Sequence, residues 1–149
     1  MTGYDGFKKI LGTKIHVAAE QNGLPISIVC STANEHDSRK FIDTMENISE
    51  LVDNDTMNQI ATVYADKGYD ARHIRNLKSF RWMLHSIQEK FIVPENRQNI
   101  YKTRFVVERF FAWLKCGFRR TAIRYEKNCE NYPGLVYLAS IMMCWRVLG

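Results

Sequence analysis

The chain contains no apolar run long enough to cross a bilayer, which takes about 20 consecutive apolar residues. Its start, Met1-Thr2-Gly3-Tyr4-Asp5, lacks the apolar centre of a secretion signal. Cysteine is sparse: Cys30, Cys116, Cys129 and Cys144 form no Cys-x-x-Cys pair, and no histidine stands at metal-finger spacing. These absences argue against zinc and predict free thiols in a soluble, cytoplasmic chain with no membrane partner. Internal repeats, low-complexity tracts and linkers are missing too, so the 149 residues read as one domain, 1–149. Spacing indicates no serine–histidine–aspartate or cysteine–histidine set.

The net charge of +5 conceals an asymmetry. Residues 1–70 carry −5, residues 71–127 carry +10, and residues 128–149 are neutral. Basic charge gathered in one segment favours a polyanion, most often nucleic acid. A solvated basic face without a partner has the same composition.

Residues 1–12, punctuated by Gly3, Gly6 and Gly12, read as a loop. Residues 13–19 alternate polar and apolar like a half-buried strand, Gln21-Asn22-Gly23 is a hairpin turn, and residues 24–30 form a second strand entered at Pro25. Residues 31–37 read as a polar loop. Ser38 is placed as the cap of a helix to Leu51, with Phe41, Ile42, Met45 and Ile48 on one face. Residues 60–65 read as a buried central strand and residues 71–79 as a short basic helix. The stretch 82–93 is ambiguous, with Phe91-Ile92-Val93 a strand candidate stopped by Pro94. A closing apolar helix spans 135–148, entered through Pro133-Gly134. The fold class is α/β, a layered sheet that begins with a hairpin. His16 is expected to be packed or paired within its strand, and His36-Asp37 to serve the start of the first helix.

Two carboxylates are chemical candidates. Over residues 101–115, at about 100° per residue, Tyr101, Arg104, Glu108 and Lys115 fall within roughly 60° of each other. Val106, Val107, Phe110, Trp113 and Leu114 spread over the opposite side as anchors, and Gly117 is a natural stop. One acid among cations suits a metal ion and a phosphodiester. It also describes an exposed helix with an Arg104–Glu108 pair. Asp66 sits where the 60–65 strand meets Lys67-Gly68-Tyr69, a place where α/β folds put ligands and where turn-initiating aspartates are common. Two carboxylates from separate elements in a basic surround can hold Mg²⁺ against phosphate oxygens.

Tyr101-x2-Arg104-x3-Glu108-x6-Lys115 matches, position for position, the Tyr–Arg–Glu–Lys signature of insertion-sequence transposases of the DDE class. Asp66 within Ala65-Asp66-Lys67-Gly68-Tyr69-Asp70 resembles that family's second-acid motif. Gly3-Tyr4-Asp5-Gly6, Gly12-Thr13-Lys14-Ile15-His16-Val17, Leu24-Pro25 and Asn34-Glu35-His36-Asp37-Ser38 are similar to family segments as well. The resemblance implies a ribonuclease-H-like mixed sheet flanked by helices. It implies Asp66 and Glu108 as catalytic metal ligands for Mg²⁺ or Mn²⁺. Tyr101, Arg104 and Lys115 would contact the DNA backbone, with the basic Arg119 and Arg120 as further DNA-binding candidates. Double-stranded DNA, as transposon ends and target, is the implied partner, in a nucleoid-associated protein. An upstream transposase polypeptide and a second copy are further candidate partners.

The family's first acid lies on a strand upstream of Gly3-Tyr4-Asp5-Gly6, so that strand and acid are expected to be missing, with Asp5 a poor substitute. On this expectation the chain is the C-terminal part of a longer transposase, a second reading frame or a remnant, with little strand cleavage of its own. A non-catalytic DNA-binding remnant and a ribonuclease-H-type nuclease stand as alternatives.

Overall fold

The computed structural model describes residues 2–51, 62–69, 71–75, 83–86, 97–122 and 130–149. The expected strand at Phe91-Ile92-Val93 and the basic residues 123–127 lie outside them. Backbone contacts divide the chain into two compact units, Met1–Glu35 with Val106–Gly149, and His36–Phe105.

The first unit is built on an antiparallel sheet in the order β1 (Gly3–Asp5), β2 (Ile10–Ala19), β3 (Pro25–Thr32). The expected hairpin is present: Ile15 pairs with Cys30 and Val17 with Ile28. Its turn is closed by the Gly23 N–H donating to the Glu20 carbonyl at 2.9 Å, with Gly23 at φ +93°, a conformation glycine adopts without a Cβ clash. Two boundaries differ from the sequence reading. Residues 1–12 are not all loop, because the Asp5 carboxylate accepts from the N–H groups of Phe7 and Lys8 at 2.9 and 3.0 Å. That closed turn lets Ile10–Gly12 pair with Gly3–Asp5. Ser31 and Thr32 continue β3 because Ser31 is fully buried and its hydroxyl meets His16 Nε2 at 2.8 Å. His16, as expected, is packed and paired.

The apolar face of the hairpin covers two helices. Within the first unit, residues Val106–Gly117 of helix α3 (Arg97–Gly117) and helix α5 (Asn131–Leu148) enclose a core. Ile28, Phe110, Leu114, Tyr132, Val136, Ala139 and Met143 form it, with Ile15 and Val17 packed against them. Helix α5 begins before Pro133, which stands in its first turn, where a missing N–H costs no helical hydrogen bond. The short helix α4 (Arg119–Ala122) is held by Thr121, whose hydroxyl donates to the Phe118 carbonyl at 2.7 Å. Tyr132 donates its phenol to the Thr121 carbonyl at 2.9 Å.

In the second unit a 3-10 turn at Asp37–Arg39 leads into α1 (Lys40–Leu51), followed by β4 (Thr62–Ala65), a 3-10 turn at Lys67–Tyr69, α2 (Arg72–Arg75) and β5 (Met83–Ser86). The cap at the start is His36 rather than Ser38: the His36 Nδ1 accepts from the Ser38 N–H at 3.3 Å and lies 2.8 Å from its hydroxyl. Ser38 is buried inside the first turn instead. Phe41, Met45 and Ile48 are buried as the spacing predicts, with Thr44 beside them. β4 pairs in parallel with β5, which falls in the stretch that sequence left ambiguous. β4 is not the buried central strand expected, since Tyr64 is 39% exposed and Val63 and Ala65 are half-buried. Among the described residues the antiparallel and parallel strands belong to separate sheets. The class is α/β.

Candidate active site

Helix α3 runs for 21 residues and ends at Gly117, the predicted stop. Val106, Phe110 and Leu114, four apart, are 8%, 0% and 2% exposed, and Phe110 and Leu114 lock one face into the core of the first unit. At 100° per residue the line through Glu108 and Lys115 lies roughly 150° from that buried stripe. Glu108 and Lys115 are correspondingly exposed. Tyr101 and Arg104 lie on the same helix, but their side chains fall outside the described residues, as does any Arg104–Glu108 pair.

The anchoring face is narrower than the sequence suggested. Val107 is half-buried and Trp113 is 38% exposed. Arg109 explains the second departure, because its guanidinium lies 5.3 Å over the Trp113 ring. The same guanidinium donates to the Asn22 carbonyl at 2.8 Å in the hairpin turn. A Cβ on Gly23 would stand 2.6 Å from Arg109 Nη2, so the turn needs glycine for close approach as well as for its φ. The Arg109 Nε is buried without a hydrogen-bond partner. Sequence reasoning missed Arg109, because on a helical wheel it is only another cation beside Glu108. The Asn22-Gly23 turn was visible, but nothing in the sequence said which residue would sit on it.

Asp66 follows β4 and is exposed. Its carbonyl accepts the Tyr69 N–H at 2.9 Å, closing the Lys67–Tyr69 turn, and the Tyr69 carbonyl accepts the Ala71 N–H at 3.0 Å. Burial, then the charges of Asp37 and Asp66, push the Tyr69 phenol above its ordinary range. The Tyr69 ring packs on Phe41 of α1, centroids 6.2 Å apart. Asp37 is more than part of a helix start, because its carboxylate lies against Gly68. The α1 face that carries Phe41 was legible; that the Asp66 turn would sit on it was not.

Arg119 and Arg120 are exposed on α4. They border an apolar cleft of about 210 Å³ floored by Leu135, Leu138 and Met142, which contains neither Asp66 nor Glu108. Among the described residues no three His, Cys, Asp or Glu side chains gather into a metal-binding group. Asp66 and Glu108 are each exposed oxygen donors, the ligand type that hard divalent cations take while keeping several waters. No described helix is long and apolar enough to cross a membrane.

The sequence pattern of the family described as "Transposase DDE domain" matches residues 2–139. A protein of Burkholderia cepacia, described as a transposase for insertion sequence element IS402, is 31% identical over 140 residues. That alignment covers 92% of this chain and 64% of the relative, so the chain spans under two thirds of its length. A protein of Brucella ovis, described as a transposase for insertion sequence element IS6501, is 30% identical over 139 residues, covering 90% of this chain and 98% of the relative. No solved structure matches the chain. The match over residues 2–139 makes the chain a member of the transposase DDE domain family.

Proposed function

We propose that residues 1–149 form the catalytic domain of an insertion-sequence transposase, with a ribonuclease-H-like fold, that cuts and joins double-stranded DNA. The observation that carries this reading is the match of residues 2–139 to the family, within which Tyr101, Arg104, Glu108 and Lys115 keep the signature spacing. Asp66 and Glu108 serve as ligands to a divalent metal, Mg²⁺ or Mn²⁺. When bound, the ion supplies Lewis-acid charge to the attacking and leaving oxygens at phosphorus. Glu108 is carried on a helix whose opposite face is fixed in a core, so its direction is set by packing rather than by a mobile loop. Lys115 projects from the same line and offsets phosphate charge beside it. Tyr101 and Arg104 contact the DNA backbone, and Arg119 and Arg120 extend the basic surface from α4. In the first step a water oxygen bonds to phosphorus and the bond to the 3′ oxygen breaks, leaving a 3′-hydroxyl. In the second that hydroxyl attacks a target phosphodiester in line, releasing a new 3′-hydroxyl.

The test uses duplex oligonucleotides that carry the ends of the element encoding the chain. With the upstream transposase polypeptide expected to carry the first acid supplied, cleavage should need Mg²⁺ or Mn²⁺ and be lost in Asp66→Asn and Glu108→Gln, while DNA binding persists in both; the chain alone should cleave little. Binding that is indifferent to divalent metal, with no cleavage in any variant, would favour a non-catalytic DNA-binding protein. Preference for an RNA–DNA hybrid over duplex DNA would favour a ribonuclease-H-type nuclease.

A further inference from the structure

We infer that Asp37 is a positioning residue for Asp66, acting through the Lys67–Tyr69 turn; this rests on the reading of Asp66 as a metal ligand. Asp37 opens the 3-10 turn that leads into α1, and its backbone is fixed by the His36 cap on the Ser38 N–H. The side chain is thereby presented to Gly68. A Cβ added there would stand 3.0 Å from Asp37 Oδ2 and 3.7 Å from its Cγ and Cβ. Glycine therefore lets the turn come down on the Asp37 carboxylate, and a Cβ there would press its Oδ2 aside by a few tenths of an ångström. Four residues further along, Phe41 takes the Tyr69 ring at 6.2 Å with a 58° tilt. Successive residues of the turn thus rest on two points of one helix start, Gly68 on Asp37 and Tyr69 on Phe41.

The turn ends on Asp66 itself, since the Tyr69 N–H donates to the Asp66 carbonyl at 2.9 Å. Any shift of Gly68 or Tyr69 is passed to the Asp66 backbone. Asp66 is exposed after a four-residue strand, so its own burial does little to hold it. A carboxylate that holds an ion must be placed within about 0.5 Å. The Asp37 seat supplies that restraint from a neighbouring helix.

The experiment measures amide hydrogen exchange at Tyr69 in the full chain, free of metal and DNA, for wild type, Asp37→Ala, Asp37→Asn, Gly68→Ala and the Asp37→Ala/Gly68→Ala double variant. Asp37→Ala and Gly68→Ala should each speed exchange at Tyr69 about 10-fold with the global unfolding midpoint unchanged, and nearly isosteric Asp37→Asn should stay within about 3-fold. The double variant should be no faster than either single one, because removing Asp37 makes room for the methyl group. Metal-dependent DNA cleavage by Asp37→Ala, measured with the upstream transposase polypeptide supplied, should lose about 10-fold in kcat with KM for DNA unchanged. Exchange at Tyr69 that is unchanged in both single variants, or effects that add fully in the double variant, would overturn the inference. Cleavage indifferent to Asp66→Asn would instead sink the metal-ligand reading, while the exchange results would still decide the Asp37 contact.

Discussion

The guanidinium of Arg109 donates to the Asn22 carbonyl at 2.8 Å and so ties the helix that carries Glu108 to the β2–β3 turn, 87 residues away in sequence. Gly23 makes the contact possible, because any Cβ there would collide with Arg109. Gly23→Ala should therefore destabilise the chain by about 1–3 kcal/mol in urea unfolding, through the strain of φ +93° and through the clash. Arg109→Ala should cost about 0.5–1.5 kcal/mol, the net worth of a hydrogen bond whose exposed acceptor water can take over. In the Arg109→Ala background, Gly23→Ala should cost less than it does alone, since only the backbone strain remains. Full additivity would show that the two residues are not coupled.

Anchor and site on helix α3 should separate cleanly. Phe110 is wholly buried, so Phe110→Ala should cost about 3–5 kcal/mol. Glu108 is exposed two residues earlier, so Glu108→Gln should change stability by no more than about 0.5 kcal/mol. Thermal and urea unfolding of the two variants provide the comparison. A large loss in Glu108→Gln would assign that carboxylate a structural role.

The helix-and-hairpin frame was legible because its signals are local. Val106, Phe110 and Leu114 repeat every four residues, and Asn22-Gly23 is a turn by its chemistry alone. The two line residues described with side chains, Glu108 and Lys115, are exposed opposite the buried stripe, as the periodicity implied. What sequence could not supply were contacts between distant segments. Arg109 on Asn22, Tyr69 on Phe41 and Gly68 on Asp37 join residues with no shared periodicity. The helix-entry role of His36-Asp37 was legible, but the capping acceptor is His36 Nδ1 where the commoner capping residue, Ser38, was expected. β5 is not legible in the sequence because a four-residue strand has too few residues to show alternation.

Alkaline pH should expose the burial of Cys30. Burial pushes its thiol from 9.0 up to about 11. The folded chain then keeps a proton that the unfolded chain releases, so this contribution to stability is whole below about pH 9 and is lost as pH rises towards 11. Tyr137, whose phenol is raised first by burial and then by the nearby Cys30, titrates in the same direction. The Cys30→Ala variant should therefore lose less stability than wild type between about pH 8 and about pH 10.5 in urea unfolding. Parallel curves for the two proteins would contradict the burial of the thiol.

The basic surface should act through phosphate charge. Lys115→Gln, Arg119→Gln and Arg120→Gln should each weaken duplex binding to a similar degree for all sequences. Each should also reduce the slope of log affinity against log salt by about 1. Fluorescence anisotropy across a salt series measures both. A variant whose slope matches wild type makes no phosphate contact.

Iron-directed backbone cleavage tests whether Asp66 and Glu108 are ligands to the divalent metal, without needing DNA or turnover. Fe²⁺ bound in place of Mg²⁺, with ascorbate and peroxide, generates radicals that cut the polypeptide beside its ligands, and mass spectrometry maps the ends. If both are ligands, cuts fall next to Asp66 and next to Glu108, both suppressed by excess Mg²⁺ and both diminished by Glu108→Gln. Cuts at neither position, or cuts that Glu108→Gln leaves unchanged, would contradict that assignment.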